Sequence, residues 1–207
     1  KVLINTAKER KSKLKWVSPI PKDWSLGLEG EFQRKNAAVA KGTLQALSSY
    51  GINVNEKIIR EGFSLAKWPG RLQRTKWKEL TVIIDGAHNP HAAEQLANER
   101  ESWEKQNLGI QWIFGIQSHK QAPEILRKLL KPQDIAWIIP IPNHKSWNKS
   151  ELSQKCPELR NQLKQAEKTE QVLKKLLEYD QWSYTPPVIT GSLYLIGHLI
   201  KEKLIKG

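Results

Sequence analysis

The chain has 207 residues, 39% hydrophobic and 27% charged, which is enough apolar material to bury a real core. Its apolar runs, such as residues 81–84, are far too short to cross a bilayer, so we expect no membrane partner. The single cysteine, Cys156, excludes an internal disulfide framework, and the lysine-rich start lacks the apolar stretch of a signal peptide. Both features are typical of a cytoplasmic protein.

Two features of the composition are unusual. The formal net charge is +13, which raises the question of a nucleic acid or an anionic small molecule as partner. Methionine is absent, so the sequence has no initiator residue. We expect either that the first residues were removed or that the chain is the back portion of a longer protein.

The first part of the chain predicts an irregular start followed by a helix. Lys1 to Lys15 is rich in lysine and is expected to be a solvated strand or loop. From Arg34 onward apolar residues fall at helical spacing, and Gly51 is the expected stop signal.

A second helix is predicted to begin after Asn55, the N-cap, and to bury Ile59, Phe63 and Ala66. The turn Trp68-Pro69-Gly70 ends it, because proline cannot continue the helical hydrogen bonds and glycine frees the backbone. We place a domain boundary here, which gives domains at residues 1–68 and 69–207.

After this boundary strands alternate with helices. The predicted strands are Leu80 to Asp85, Ile110 to Ile116, Ile135 to Ile141 and residues 187–190. The predicted helices open at Asn89-Pro90, contain Ile125 to Leu130, run from about Leu163 to Tyr179, and follow Gly191-Ser192. Apolar strands separated by helices are typical of a mostly parallel sheet with helices on both faces, so the predicted fold class is α/β.

The densest group of polar residues follows the first of these strands, in the segment DGAHNP at residues 85–90. Ligands of open parallel sheets bind at the carboxyl ends of the strands, where this segment is expected to lie. Asp85 can accept hydrogen bonds from the two hydroxyls of a ribose, and the helix beginning near Asn89 points its positive end at the same space. The residues leave a second interpretation open, in which Asp85 and Asn89 only cap the turn and His88 packs locally.

Other chemical signatures are weak or absent. His88 and His91 lack an accompanying pattern of thiolates or carboxylates, so we expect no metal site. No glycine is followed by lysine, so the sequence has no Walker A loop and the cradle for a triphosphate must come from elsewhere. Arg71 follows the turn at the boundary, where it is either an ordinary surface arginine or a ligand of phosphate oxygens.

Four segments taken together resemble the folylpolyglutamate synthase/dihydrofolate synthase family of the Mur ligase superfamily. They are FQRKNAAVA at residues 32–40, WPGRLQ at 68–73, DGAHNPHAA at 85–93 and TGSLYLIG at 190–197. The resemblance begins near Leu26 and covers only the back half of the family's architecture. One departure is Gln121, which follows Lys120 where the family often has an aspartate.

This resemblance implies that residues 1–68 are the end of a central ATPase domain and that residues 69–207 are a Rossmann-like C-terminal α/β domain. It implies an ATP-dependent ligase that adds L-glutamate to the γ-carboxylate of a folate through an acyl phosphate, and in bifunctional members to dihydropteroate also. The segment alone is expected to be inactive, because the phosphate loop and the magnesium ligands would lie upstream.

The resemblance also implies roles for five residues. Asn36 would contact the adenine of ATP, Arg71 would reach the phosphates and Asp85 would hold the ribose. His88 would lie toward the phosphate and the amino acid as the catalytic residue, and Ser192 would line the glutamate side. The expected partners are ATP with magnesium, a folate and L-glutamate, acting on a monomer.

Two alternatives remain on the sequence alone. A ligase that adds amino acids to cell-wall precursors shares the Asp-x-Ala-His-x-Pro pattern, although the segments at 69–73 and 191–195 favour the folate branch. A basic nucleic-acid-binding module is suggested by the charge and by 9 tryptophans. Trp112 and Trp137 lie inside apolar runs, so core packing explains them better than base stacking, and we expect no nucleic-acid partner.

Overall fold

The computed structural model describes residues 1–103, 108–178 and 185–207. The chain divides into two compact units, Lys1–Lys67 and Trp68–Gly207. The assignment of these units to a central and a C-terminal domain stays a prediction. No helix in the described residues is long and apolar enough to span a membrane.

The first unit is helical. Helix α1 (Val2–Glu9) shows that the predicted strand or loop is wrong over its first part, although its side chains are largely exposed to solvent as expected. The physical reason is local, because this stretch contains good helix formers and neither glycine nor proline, and Lys8 lies in the last turn, where its charge suits the helix dipole.

The two predicted helices of this unit are confirmed. Helix α2 (Gln33–Ala46) is followed by a short 3-10 turn. Gly51 ends this turn in the left-handed region, with a φ of 80°. Helix α3 (Glu56–Leu65) begins at Asn55, whose side chain accepts a hydrogen bond from the amide of Ile58. A small core holds the unit together, made of Ile20, Trp24, Ala38 and Ile59.

The second unit is an α/β structure. Its strands are β1 (Gln73–Trp77), β2 (Leu80–Asp85), β3 (Gln111–Phe114), β4 (Ile135–Ile138), β5 (Leu163–Gln165) and β6 (Val188–Thr190). Its α-helices within the described residues are α4 (Pro90–Asn98), α5 (Ala122–Leu129), α6 (Lys149–Lys155), α7 (Thr169–Glu178) and α8 (Leu193–Lys201).

These strands form one sheet in the order β1-β2-β6-β3-β4-β5. All neighbours pair in parallel except β1, which pairs antiparallel with β2 at one edge. Helices α7 and α8 pack their apolar residues on one face of the sheet. Helices α4 and α5 contact each other and bury apolar residues away from that cluster. The predicted fold class, a mostly parallel sheet with helices on both faces, is confirmed.

Two strands differ from the sequence prediction. Strand β1 was not expected, because most of its residues are polar. In the structure every second residue faces inward, and Thr75 and Trp77 are the buried ones. The long helix predicted from Leu163 is wrong at its start, since Leu163–Gln165 pairs with β4 and the helix begins only at Thr169. Its predicted end, Tyr179, lies outside the described residues.

Candidate functional site

The carboxyl ends of β2 and β6 lie side by side within the sheet, where Asp85 and Thr190 are paired residues. The loops that follow these two strands, together with the turn before β1, form the candidate site. This is the edge at which an open parallel sheet binds its ligands.

Asp85 organises the turn around itself. Its Oδ2 accepts a hydrogen bond from the amide of Leu72 and its Oδ1 accepts one from the amide of Ala87, both at 2.8 Å. Burial raises the pKa of Asp85, while the two amide bonds and the charge of Arg71 act in the opposite direction. These contacts are those of the capping interpretation, yet each oxygen keeps a second lone pair for a ligand.

His88 is held in one orientation by the backbone. Its Nδ1 lies 2.8 Å from the carbonyl oxygen of Gly86. A carbonyl can only accept, so Nδ1 carries the hydrogen and Nε2 is left to contact a ligand. Asn89 caps α4 by accepting a hydrogen bond from the amide of Ala92, as predicted.

Arg71 lies on a tightly fixed turn. The amide of Gly86 donates to the carbonyl of Gly70 at 2.8 Å, and Leu72 is held in the left-handed region with a φ of 43°. A non-glycine residue in that region is uncommon and marks local strain. The guanidinium of Arg71 makes no hydrogen bond or ion pair with the described residues, so this turn presents an uncommitted positive charge.

Ser192 is the N-cap of α8, because its Oγ accepts a hydrogen bond from the amide of Tyr194 at 3.1 Å. The preceding Gly191 has a φ of 103°, and a Cβ there would lie 2.6 Å from the carbonyl oxygen of Gly115. Glycine is therefore required at this turn. The side chain of Leu193 occupies the space that a Cβ on Gly86 would take, which places the start of α8 against the turn after Asp85.

Four of the five predicted site residues thus lie around one edge of the second unit. They are Arg71, Asp85, His88 and Ser192. The fifth, Asn36, belongs to the first unit, where it borders a pocket of about 210 Å³ lined almost wholly by apolar side chains. Its Nδ2 donates a hydrogen bond to Oε1 of Gln33 at 2.8 Å. The side-chain oxygen Oδ1 of Asn36 is therefore the atom that can accept a hydrogen bond from a ligand in the pocket.

One polar cluster at the same edge of the second unit was not assigned a role from the sequence. The rings of His144 and Tyr194 have centroids 4.4 Å apart, and Nδ1 of His144 lies 3.3 Å from Nε2 of Gln117. Tyr194 is largely exposed, two residues after Ser192. The position of His144 after a predicted strand was the available signal, but its pairing with Tyr194 depends on the sheet order.

Other candidate chemistry is not supported by the described residues. Among them no three His, Cys, Asp or Glu side chains are grouped so that they could hold a metal ion. Cys156 is buried, and burial raises the pKa of its thiol, which disfavours the nucleophilic thiolate.

Fold and site together define an α/β domain that presents a histidine, an arginine and an aspartate at the carboxyl edge of a mostly parallel sheet. Residues 70–202 match the family model described as "Dihydrofolate synthetase, C-terminal domain". The chain therefore belongs to the dihydrofolate synthase/folylpolyglutamate synthase family, as its motifs predicted.

Individual relatives agree with this assignment. The dihydrofolate synthase/folylpolyglutamate synthase of Buchnera aphidicola is 30% identical over 153 residues, which cover 73% of this chain. The solved structure of folylpolyglutamate synthase from Thermotoga maritima is 26% identical over 98% of this chain, with a TM-score of 0.64. That of the Mycobacterium tuberculosis folylpolyglutamate synthase complexed with ADP is 25% identical over 87%, with a TM-score of 0.68.

The chain spans only part of each of these relatives. It covers 33% of the Buchnera protein, 51% of the Thermotoga chain and 42% of the Mycobacterium chain.

Proposed function

We propose that this chain is part of an ATP-dependent ligase that joins L-glutamate to the γ-carboxylate of a folate through an acyl phosphate. The observation that carries the proposal is the group of polar side chains at the carboxyl edge of the sheet in the second unit. There Arg71, which forms no hydrogen bond or ion pair with the described residues, lies close enough to buried Asp85 for its charge to lower the pKa that burial raises, and His88 is oriented beside them. Dihydropteroate is the second proposed acceptor.

ATP is the proposed energy source. The pocket beside Asn36 is apolar and has an amide oxygen at its margin, which suits a flat purine ring with an exocyclic amino group. In the second unit, the free lone pairs of Asp85 suit ribose hydroxyls and the charge of Arg71 suits phosphate oxygens. The Mycobacterium relative, solved as a complex with ADP, supports this choice of nucleotide.

The proposed reaction has two steps. An oxygen of the folate γ-carboxylate attacks the γ-phosphorus of ATP, which releases ADP and leaves an acyl phosphate. The amine of glutamate then attacks the acyl carbon, and the C–O bond to phosphate breaks. Both steps depend on positioning and on neutralisation of phosphate charge more than on a protein nucleophile.

The residues of this chain take three roles in those steps. Arg71 stabilises negative charge on the transferred phosphate. His88, through Nε2, accepts the proton that the glutamate ammonium loses as it becomes a nucleophile. Ser192 keeps its hydroxyl hydrogen available to donate to a carboxylate of glutamate while its oxygen caps α8.

Magnesium is expected to accompany ATP and to neutralise charge on its phosphates. The described residues contain no group of three metal-ligating side chains. As the family resemblance implies, we propose that the magnesium ligands and the phosphate loop belong to the part of the family's architecture that this sequence does not include, and we expect the chain alone to be inactive. We further propose that the enzyme acts in the cytoplasm as a monomer.

The test is glutamate-dependent release of ADP by the full-length product of the gene that encodes this chain, with a reduced folate as acceptor. Arg71→Ala should lower kcat by roughly 10²- to 10³-fold, the usual cost of removing one group that stabilises transition-state charge. The KM for folate should change little.

Arg10→Ala is the matched control, because Arg10 is an exposed arginine of the first unit. It should leave kcat unchanged. Equal losses of kcat in both variants, or no glutamate-dependent ADP release by the parent, would overturn the proposal.

A further inference from the structure

A second cleft in the α/β unit lies apart from the candidate site. It has a volume of about 410 Å³ and lies between the start of α7, helix α8 and the end of β4. Small-molecule sites have volumes of roughly 300–1,000 Å³. None of Arg71, Asp85, His88 and Ser192 lines it.

The floor of this cleft is apolar. Ile139, Leu195 and Leu199 are buried side chains that line it, and Leu204 adds a half-buried one. A floor of this kind favours a ligand with a hydrocarbon body, because its contact removes apolar surface from water.

The rim of the cleft carries charges of both signs. Glu167 and Glu202 line it, and neither forms an ion pair with the described residues. Glu170 also lines it but is bound to Lys174 at 3.0 Å. Lys168 supplies the positive charge, so the rim offers partners for a cation and for an anion.

Thr169 is the most informative residue of the cleft. It is 3% exposed, and its Oγ1 has no hydrogen-bond partner among residues 1–103, 108–178 and 185–207. A buried polar group without a partner costs about 1–3 kcal/mol, which a ligand atom could recover. Thr169 is also the first residue of α7, where backbone amides lack partners within the helix and the dipole favours negative charge.

We propose that this cleft binds an apolar α-amino acid. The ammonium group is held by Glu167 and Glu202, the carboxylate by Lys168, Thr169 and the first turn of α7, and the side chain by the apolar floor. L-Glutamate is excluded, because its second carboxylate would meet that floor. The site is therefore separate from the one proposed for the substrate glutamate, and its occupancy does not depend on catalysis.

The experiment is a titration of the ¹⁵N-labelled chain with L-phenylalanine, followed by amide NMR. Saturable shifts are expected at residues 167–170 and 198–204. Thr169→Val keeps the shape of the side chain, and Glu202→Gln changes only an exposed carboxylate, so both variants should fold. Each should weaken binding roughly fivefold to tenfold, the usual effect of losing one hydrogen bond or charge contact.

Three matched ligands separate the parts of the proposal. 3-Phenylpropionate lacks the ammonium, 2-phenylethylamine lacks the carboxylate, and L-glutamate lacks the apolar side chain, so each should bind more weakly than L-phenylalanine. Glu61→Gln, an equal change of charge on an exposed residue of the first unit, should leave binding unchanged. The proposal is overturned if no saturable shift occurs in the cleft, if an analogue binds as well as L-phenylalanine, or if Thr169→Val and Glu202→Gln bind like the parent.

Discussion

Two buried aspartates of the second unit differ in how their charge is compensated. Asp85 has two amide donors, and burial raises its pKa. Asp134 accepts two hydrogen bonds of 2.6 Å from Arg100. It also accepts bonds from the amides of Ile110 and Lys131 and from the indole of Trp112. Asp134 is therefore a structural anion, whereas Asp85 keeps capacity for a ligand.

Asp134→Asn should destabilise the protein by about 3–5 kcal/mol, because the substitution leaves the Arg100 guanidinium buried without its counter-charge. The free energy of unfolding, measured with a chemical denaturant, gives the answer. Glu158→Gln breaks the ion pair with Arg127, which is exposed to solvent, and should cost less than about 1 kcal/mol. A loss for Asp134→Asn as small as that of the control would contradict the structural role.

The same substitution should change the response to acid. Burial alone would raise the pKa of Asp134, but the bonds from Arg100 and its neighbours hold it below its usual range. Folding therefore favours the charged form, and its stabilising contribution is present above the unfolded pKa of about 4 and is lost as the pH falls toward the folded pKa. Asp134→Asn should flatten this part of the acid unfolding profile.

The residues that belong to local motifs could be predicted from the sequence. The positions of Asp85 and His88 followed from the end of a predicted strand. The bidentate pair of Arg100 and Asp134 could not be predicted, because its members are 34 positions apart and the fold alone brings them together. For the same reason Tyr194 was not linked to His144.

At the scale of elements, the first residues of helices could be predicted most directly from the sequence. Asn55 and Asn89 each accept a hydrogen bond from the helix they open, as predicted, because a cap acts within three residues. Short elements were missed. Strand β5 has 3 residues, too few to show an apolar period, and its pairing with β4 fixes it.

Ser192 combines a structural and a proposed functional role, and a pair of cap variants separates them. Ser192→Ala and Asn55→Ala should each cost about 1 kcal/mol of stability, because each removes one N-cap acceptor. Only Ser192→Ala should also raise the KM for glutamate in the full-length enzyme. Denaturation curves and steady-state kinetics provide the two readouts. Equal KM values in the two variants would limit Ser192 to capping.

At the scale of the whole molecule, the net charge of +13 and the tryptophans have separate explanations. Trp112 and Trp137 are buried, which confirms the core-packing interpretation, and Trp24, Trp77 and Trp103 are buried as well. These five rings are packed in the core and are not available for base stacking, whereas Trp16 and Trp68 are exposed. Part of the positive charge lies on exposed lysines of residues 1–15. The remaining positive charge suits the small anionic ligands of the proposed reaction.

Because the positive charge and the tryptophans have separate explanations, the binding of nucleic acid and the binding of a nucleotide should respond differently to salt. Contacts made only by exposed lysines depend on counterion release, so retention of a DNA duplex in a filter-binding assay should vanish near 0.15 M salt, where the Debye length is about 8 Å. Binding of ADP to the same chain should persist there, because an apolar pocket and hydrogen-bonding groups contribute as well as charge. DNA retention at that salt without ADP binding would instead favour a nucleic-acid-binding module, held by base stacking or by many phosphate contacts.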